Sequence, residues 1–223
     1  MIPLKDNVNR RTFPFINLLF IGLNIAAFVN ELRLPGEASL QALIMAGSLI
    51  PSQLLSSPLT EWPTVFFSMF LHGSWGHIIG NMLYLWIFGD NVEDRMGHVR
   101  YFFFYLLVGT AAAMAQVYVH PRSSLPMLGA SGAVSGVMGA YFVLYPRARV
   151  LAVVPIWVFL RVVEIPALFF LGFWFIFQAF QGLGSLSHRA FYGQIGGVAW
   201  WAHAGGFVAG LLLVGFFKKS QRR

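Results

Sequence analysis

The chain has 223 residues, of which 57% are hydrophobic and 10% are charged, and it contains no cysteine. Soluble domains carry about 25% charged residues, so the composition excludes an ordinary soluble protein and indicates a membrane protein. The lack of cysteine excludes disulfides and thiolate chemistry. The net charge of +7 would suit nucleic acid. However, the basic residues fall at the ends of apolar stretches rather than on one face, so no nucleic-acid partner is predicted.

Six apolar stretches approach the length of about 20 residues that a membrane-spanning helix needs. They predict an all-α membrane protein, a bundle of six transmembrane helices with a long outer loop after the first. The predicted spans cover residues 13–30, 75–90, 100–119, 127–145, 163–183 and 196–217.

The distribution of basic residues predicts the orientation of the bundle. Of the 15 Lys and Arg residues, all except Arg33, Arg122 and Arg189 fall on the side that holds both termini. Positive charge marks the cytoplasmic side, so we predict a multi-pass protein of the inner or plasma membrane with cytoplasmic termini. The first apolar stretch is followed by FVNELRL without a small-x-small cleavage site, so it is interpreted as a retained span. The predicted domains are a tail (1–12), a six-span domain (13–217) and a basic tail (218–223).

Two further stretches are apolar but are not assigned as spans. Residues 31–74 include LQALIMAGSLI and WPTVFFSMFL, which predict segments in the outer membrane interface. Residues 150–162 are predicted to be interfacial on the inner side.

Polar side chains inside the predicted spans call for individual explanations, because unpaired polar groups are costly in hydrocarbon. The four considered are His77 and Asn81 in span two, Ser131 in span four and His203 in span six. At about 1.5 Å per helical residue, Ser131 lies about 6 Å and His203 about 10 Å below the outer surface. All four are predicted in the outer half of the membrane, where they can meet.

Small residues surround two of these side chains. Ser131, Ser135 and Gly139 form one ridge at helical spacing, and Gly132, Gly136 and Ala140 form another. Small-residue ridges let helix backbones approach closely. If this face packs on the GxxxG face of span six, which also carries His203, the Ser131 hydroxyl comes within hydrogen-bond reach of the imidazole. That contact is what activates a serine nucleophile.

His77 and Asn81 share a helix face, and both can donate hydrogen bonds to an oxyanion together with the Ser131 amide. His72, five residues before His77, is assigned a structural role. No acidic residue lies in the outer half of a span, so a Ser–His dyad without a carboxylate is predicted. Taken singly, each residue has an ordinary interpretation: a lone Ser most often packs helices, a lone His is satisfied in the core, and His77 with Asn81 holds helices together.

Three motifs together resemble the rhomboid intramembrane serine proteases of the bacterial six-span type. They are HGSWGHIIGN at 72–81, GASG at 129–132 and AHAGGFVAG at 202–210. The resemblance covers residues 13–217. The GxSG motif alone also occurs in soluble hydrolases, but the three motifs in this order are highly specific.

The resemblance implies cleavage of transmembrane segments of single-pass membrane proteins near the outer face of the bilayer, without a cofactor or metal. It implies Ser131 as nucleophile and His203 as base and acid. Asn81 and His77 would be oxyanion partners, with Gly129 shaping the loop before the nucleophile. Glu93 resembles a structural acid at the inner end of span two.

One position departs from the family pattern. Ser135 stands where an aromatic ring often stacks on the catalytic histidine, a role that Trp200 or Phe207 would then fill. Span five and the following stretch 180–197, rich in Gly and Ser, are predicted parts of a lateral gate for substrate.

Other functions stay open. A rhomboid-like scaffold would bind membrane helices without cutting them, usually after losing Ser131 or His203, and both are present. A channel or transporter using His77 and His203 is disfavoured by the lack of intramembrane carboxylates and inverted repeats. A zinc protease is disfavoured because the sequence has no HExxH motif.

Overall fold

The computed structural model describes residues 1–157, 159–187 and 199–219, and these are mostly helical. The elements, in chain order, are β1 (Ile2–Asp6), α1 (Phe15–Leu32), α2 (Gly36–Gly47), α3 (Pro51–Ser56), α4 (Pro58–Glu61), α5 (Thr64–Phe67), α6 (Trp75–Tyr84), a π-helical segment (Leu85–Gly89), α7 (Asp90–Met96), α8 (His98–Val119), α9 (Ser131–Leu144), β2 (Arg149–Ile156), β3 (Phe159–Pro166), α10 (Ala167–Ser187) and α11 (Trp200–Phe217).

Four helices in the described part of the chain are long and apolar enough to cross a membrane. They are Phe15–Leu32, His98–Val119, Ala167–Gly184 and Trp200–Phe217, which correspond to predicted spans one, three, five and six. The second predicted span falls on α6, the π-helical segment and α7, which follow one another without a break. The fourth falls on α9, which is apolar but has only 14 residues.

A three-stranded antiparallel sheet in the order β1-β2-β3 corrects the prediction that the fold is all-α. The stretch 150–162, expected to be interfacial, forms most of the β2–β3 hairpin, in which Arg149 pairs with Pro166 and Ile156 with Phe159. The third strand comes from residues 2–6, inside the predicted N-terminal tail, so those residues pair with the rest of the fold. β-branched residues are common in β2 and β3, and such residues favour strands over helices.

Helices α8, α9 and α11 form the centre of the bundle, and their backbones approach one another closely. A methyl group added at Gly206 would overlap the carbonyl oxygen of Gly132, and one added at Gly210 would overlap that of Gly136. A methyl group at Gly139 would overlap the carbonyl oxygen of Phe207. Only glycine permits this approach, so α9 and α11 are in backbone contact along three successive turns.

We expect Gly210→Ala to destabilise the protein by roughly 1–3 kcal/mol, because the new methyl group forces the two helices apart. Thermal unfolding in detergent micelles measures the effect. Gly215→Ala is the matched control, since among the described residues no atom lies within 4 Å of a methyl group added to this other α11 glycine. Equal melting temperatures for the two variants would contradict the close contact.

The Glu93 carboxylate joins α7 to the beginning of α1. Its two oxygens accept hydrogen bonds from the backbone N–H groups of Ile16 (3.0 Å) and Asn17 (2.7 Å), and one oxygen also contacts Nδ1 of His98. The first N–H groups of a helix have no partner within the helix and attract negative charge. Glu93, which is fully buried, therefore caps α1 from a neighbouring helix.

We expect Glu93→Gln to lower the free energy of unfolding by about 2 kcal/mol, because hydrogen bonds to a charged group are the stronger kind. The control is Glu164→Gln, which removes a 3.3 Å ion pair with Arg149 from a side chain that is 60% exposed. Exposed ion pairs contribute little to stability. A control that destabilised the protein as much as Glu93→Gln would contradict the capping role.

The segment between α1 and α6 contains the four short helices α2 to α5 and packs on the residues before α9. Leu49 and Met127 exchange two backbone hydrogen bonds of 3.0 and 2.8 Å. The Gly129 N–H donates to the Ser68 carbonyl oxygen at 2.7 Å. The connection that leads to Ser131 is thus fixed to the segment between α1 and α6.

Candidate active site

Ser131 and His203 are in direct contact. The Ser131 hydroxyl oxygen lies 2.7 Å from Nε2 of His203, a hydrogen bond between the first residue of α9 and the first turns of α11. His203 is buried. The close packing of α9 on α11 through glycine brings the two side chains together, as the small-residue ridges predict.

Two neighbouring residues, Gly129 and Ser135, are arranged so that the Ser131 hydroxyl can point at the imidazole. Gly129, two residues earlier, has φ of +118°, in the region that side chains rarely adopt. This conformation turns the chain into the first turn of α9. Ser135, one turn later, is fully buried and donates its hydroxyl hydrogen to the Ser131 carbonyl oxygen. Ser135 therefore does not compete for His203.

His77 and Asn81 both lie on α6 and border the backbone just before Ser131. A methyl group added at Gly129 would lie 2.6 Å from Nε2 of His77 and 3.7 Å from Nδ2 of Asn81. The absence of a side chain at Gly129 thus lets the His77 ring lie against the backbone there. Both predicted oxyanion residues border the same stretch of chain as the Ser131 amide.

His72 holds the Asn81 side chain. Its Nδ1 lies 3.2 Å from the Phe70 carbonyl oxygen, which can only accept a hydrogen bond, so Nδ1 is the donor. Nε2 then accepts from Nδ2 of Asn81 at 3.0 Å. Burial lowers the pKa of His72 to about 4, with a smaller effect from His77, so the ring is neutral near pH 7. An amide nitrogen has two hydrogens, so Asn81 keeps one for another acceptor.

Gln178 completes the surroundings of His203, and the sequence analysis missed it. Its side-chain oxygen lies 2.7 Å from Nδ1 of His203, and the glutamine is buried on α10. Trp174, one turn earlier, lies with its ring 6.0 Å from the imidazole centre. In the sequence, the one indication of a role for Gln178 is that it is a single amide inside the apolar stretch FFLGFWFIFQAF.

Trp200 and Phe207, the two residues expected to supply the aromatic ring that Ser135 lacks, lie differently relative to the His203 imidazole. Trp200 contacts His203 edge-on, with ring centres 6.2 Å apart. Phe207 packs on Trp174 and Phe175. Trp174 is therefore a second aromatic neighbour of the imidazole, contributed by α10. The predicted gate stretch 180–197 lies outside the described residues from position 188 onward.

The assembled groups can activate a hydroxyl by base catalysis, since the imidazole nitrogen facing Ser131 is positioned to accept its proton. Within residues 1–157, 159–187 and 199–219, no three His, Asp or Glu side chains lie where they could share a metal ion. Fold and site together define a helical membrane protein with a serine–histidine pair buried among its helices.

Comparison with known proteins identifies the family. The Rhomboid domain model matches residues 59–220, most of the chain, and the protein therefore belongs to the rhomboid family. This finding confirms the resemblance to the rhomboid family that the three motifs indicated.

Three curated relatives illustrate how widely the family is spread. Rhomboid protein 1, mitochondrial, of Saccharomyces cerevisiae is 27% identical over 74% of the chain, and Rhomboid-like protein 11, chloroplastic, of Arabidopsis thaliana is 34% identical over 39%. Rhomboid protease GluP of Bacillus subtilis is 31% identical over 57%. The matched regions span only 44%, 31% and 24% of these three relatives, respectively.

Proposed function

We propose that this protein is an intramembrane serine endopeptidase that cleaves transmembrane segments of single-pass membrane proteins near the outer face of the bilayer. The observation that carries the proposal is the 2.7 Å hydrogen bond between the Ser131 hydroxyl and Nε2 of His203. Family membership and the similarity to Rhomboid protease GluP support it.

The proposed reaction begins with attack of the Ser131 oxygen on the scissile carbonyl carbon while Nε2 of His203 takes the hydroxyl proton. The electron pair of the carbonyl moves onto its oxygen. When the tetrahedral intermediate collapses, the C–N bond breaks and the protonated imidazole gives its proton to the leaving amine. A water molecule then attacks the acyl-serine ester and passes one proton to Nε2. The second collapse breaks the C–O bond to the serine, returns that proton from Nε2 to the serine oxygen and releases a carboxylic acid.

The developing oxyanion needs donors already in place, because these stabilise the transition state most. The second amide hydrogen of Asn81, the His77 ring and the Ser131 backbone N–H are the proposed donors. His72 supports this role by holding one amide hydrogen of Asn81. Ser131 also begins α9, where the positive end of the helix dipole favours negative charge.

The length of α9 supports a site below the membrane surface. Its 14 residues extend about 21 Å, whereas the hydrocarbon core is about 30 Å thick. If the end at Leu144 reaches the inner interface, Ser131 lies roughly 9 Å below the outer one. We propose a fold of six spans, in which residues 75–96 and α9 supply the second and fourth crossings and both termini face the cytoplasm.

Several finer features follow from the proposal. A substrate helix must unwind to present its carbonyl, so substrates carry helix-breaking residues near the cleavage site. The protein is placed in the inner or plasma membrane on the basis of its basic residues. The gate is proposed at span five, and cleavage that persisted after span five was crosslinked to span two would contradict it.

We expect Ser131→Ala to abolish both labelling by a fluorophosphonate probe and cleavage of a reconstituted single-pass substrate. Ser135→Ala is the matched control, because this hydroxyl is buried four residues away and bonded to a backbone carbonyl. The control should keep both activities. If the folded wild-type protein reacted with no probe and cut no substrate, the family's scaffold alternative would replace the protease proposal.

We expect Asn81→Ala to lower kcat roughly 10²- to 10³-fold with little change in KM, since it removes an oxyanion donor. Asn24→Ala is the control: Asn24 is a buried asparagine of α1 that donates to the backbone of its own helix. Steady-state cleavage in proteoliposomes measures both. An unchanged kcat in Asn81→Ala would show that Asn81 does not donate a hydrogen bond to the oxyanion.

A further inference from the structure

Both ring nitrogens of His203 have hydrogen-bond partners, and the two partners come from different helices. Nε2 contacts the Ser131 hydroxyl on α9, and Nδ1 lies 2.7 Å from the side-chain oxygen of Gln178 on α10. An amide oxygen only accepts, so Nδ1 must carry the hydrogen. The neutral ring then has its lone pair on Nε2, facing Ser131.

We propose that Gln178 is the positioning residue of the catalytic base, fixing the protonated Nδ1 tautomer and the ring orientation of His203. The inference rests on the proposed function, in which Nε2 must accept the serine proton. Without a partner at Nδ1, the neutral imidazole exchanges between two tautomers. In one of them Nε2 carries a hydrogen and cannot act as base.

Other residues do not take over this role. In the described part of the chain, no carboxylate bonds to His203, and the partners of its ring nitrogens are Ser131 and Gln178. Trp174 and Trp200 contact the ring as aromatic neighbours and restrict its tilt. They do not select a tautomer, because neither contact is a hydrogen bond to Nδ1.

A neutral amide suits this environment better than an acid. Gln178 and His203 are both buried, and a carboxylate there would have to lose its hydration. The amide oxygen gives the same directional acceptor without a charge. Its drawback is weaker stabilisation of the imidazolium that forms during catalysis, so a carboxylate at this position should increase the basicity of the ring.

The first test measures the tautomer directly. Protein labelled with ¹⁵N-histidine in detergent micelles has six histidines, and the His203 signals are assigned by their loss in His203→Gln. Imidazole ¹⁵N shifts report which nitrogen is protonated. We expect wild-type His203 in the protonated Nδ1 form near neutral pH and Gln178→Ala as a mixture. A wild-type ring protonated at Nε2, or a Gln178→Ala spectrum identical to wild type, would overturn the inference.

The second test follows the rate of fluorophosphonate labelling of Ser131 against pH. We expect Gln178→Ala to slow labelling about ten- to a hundredfold. Gln178→Glu should restore most of the rate and move the midpoint of the profile to higher pH, because a carboxylate stabilises the imidazolium. A purely structural role would not move this midpoint.

Gln116→Ala is the matched control. Gln116 on α8 accepts a 3.3 Å hydrogen bond from the backbone N–H of Ala202, one residue before His203, and does not bond to the imidazole. We expect its loss to leave the tautomer and the pH midpoint unchanged. The inference would be overturned if the Gln178 variants changed the tautomer and the pH midpoint no more than Gln116→Ala does. Absence of labelling in folded wild-type protein would count against the protease proposal alone, since the tautomer measurement does not need activity.

Discussion

The site depends on the backbone contact between α9 and α11. A methyl group on Gly206 or Gly210 of α11 would overlap a carbonyl oxygen of α9, and one on Gly139 of α9 would overlap a carbonyl oxygen of α11. Helix pairs separated by large side chains lie about 8–10 Å apart and can repack when a side chain changes. Here the backbones themselves are the contact surfaces. The separation of the two backbones that carry Ser131 and His203 is therefore set by atoms that have no rotamers.

The end of the bundle remote from Ser131 is held together in a different way, through buried polar groups. Glu93 caps α1, and the Asn17 amide donates to the carbonyl oxygen of Leu85 in the π-helical segment. Nearby, Asp6 of β1 accepts a hydrogen bond from the Tyr141 hydroxyl of α9, and burial raises the pKa of the Asp6 carboxyl. Such groups are costly unless paired, so each pairing specifies one arrangement. The sheet is thereby tied to the end of α9 remote from Ser131, and α1 is tied to α7 and the π-helical segment.

The sequence was sufficient to predict the four long apolar helices and to single out Ser131 and His203, which are in contact, because apolar stretches, small-residue ridges and buried polar groups are local patterns. It failed where the outcome depends on how helices are rotated. Gln178 is one amide in an apolar helix, and only the orientation of α10 shows that it faces His203. His72 was separated from His77 by an argument from helical spacing, and its contact with Asn81 was therefore missed. That argument does not apply, because α6 begins at Trp75 and His72 precedes it.

The missed sheet has a related cause. Residues 149–166 are apolar enough to be taken as a continuation of the membrane-associated chain, and hydropathy alone does not separate a strand from a helix. Val and Ile enrichment in this stretch pointed to strands. The pairing with Ile2–Asp6, however, joins residues that are remote in the sequence. No local pattern encodes such a partner.

The machinery around His203 thus combines two kinds of constraint. Backbone contact between α9 and α11 sets the separation of the helices that carry the hydroxyl and the imidazole, whereas Gln178 and Trp174 of α10 act on the ring through their side chains. Other residues of α10 (Phe173, Ile176 and Phe180) are largely exposed, so the helix packs on the bundle along one face. A small displacement of α10 would leave the serine and histidine at the same distance. It would remove the hydrogen bond through which Gln178 keeps the hydrogen on Nδ1. An imidazole with its hydrogen on Nε2 can lie close to the serine without being able to act as its base.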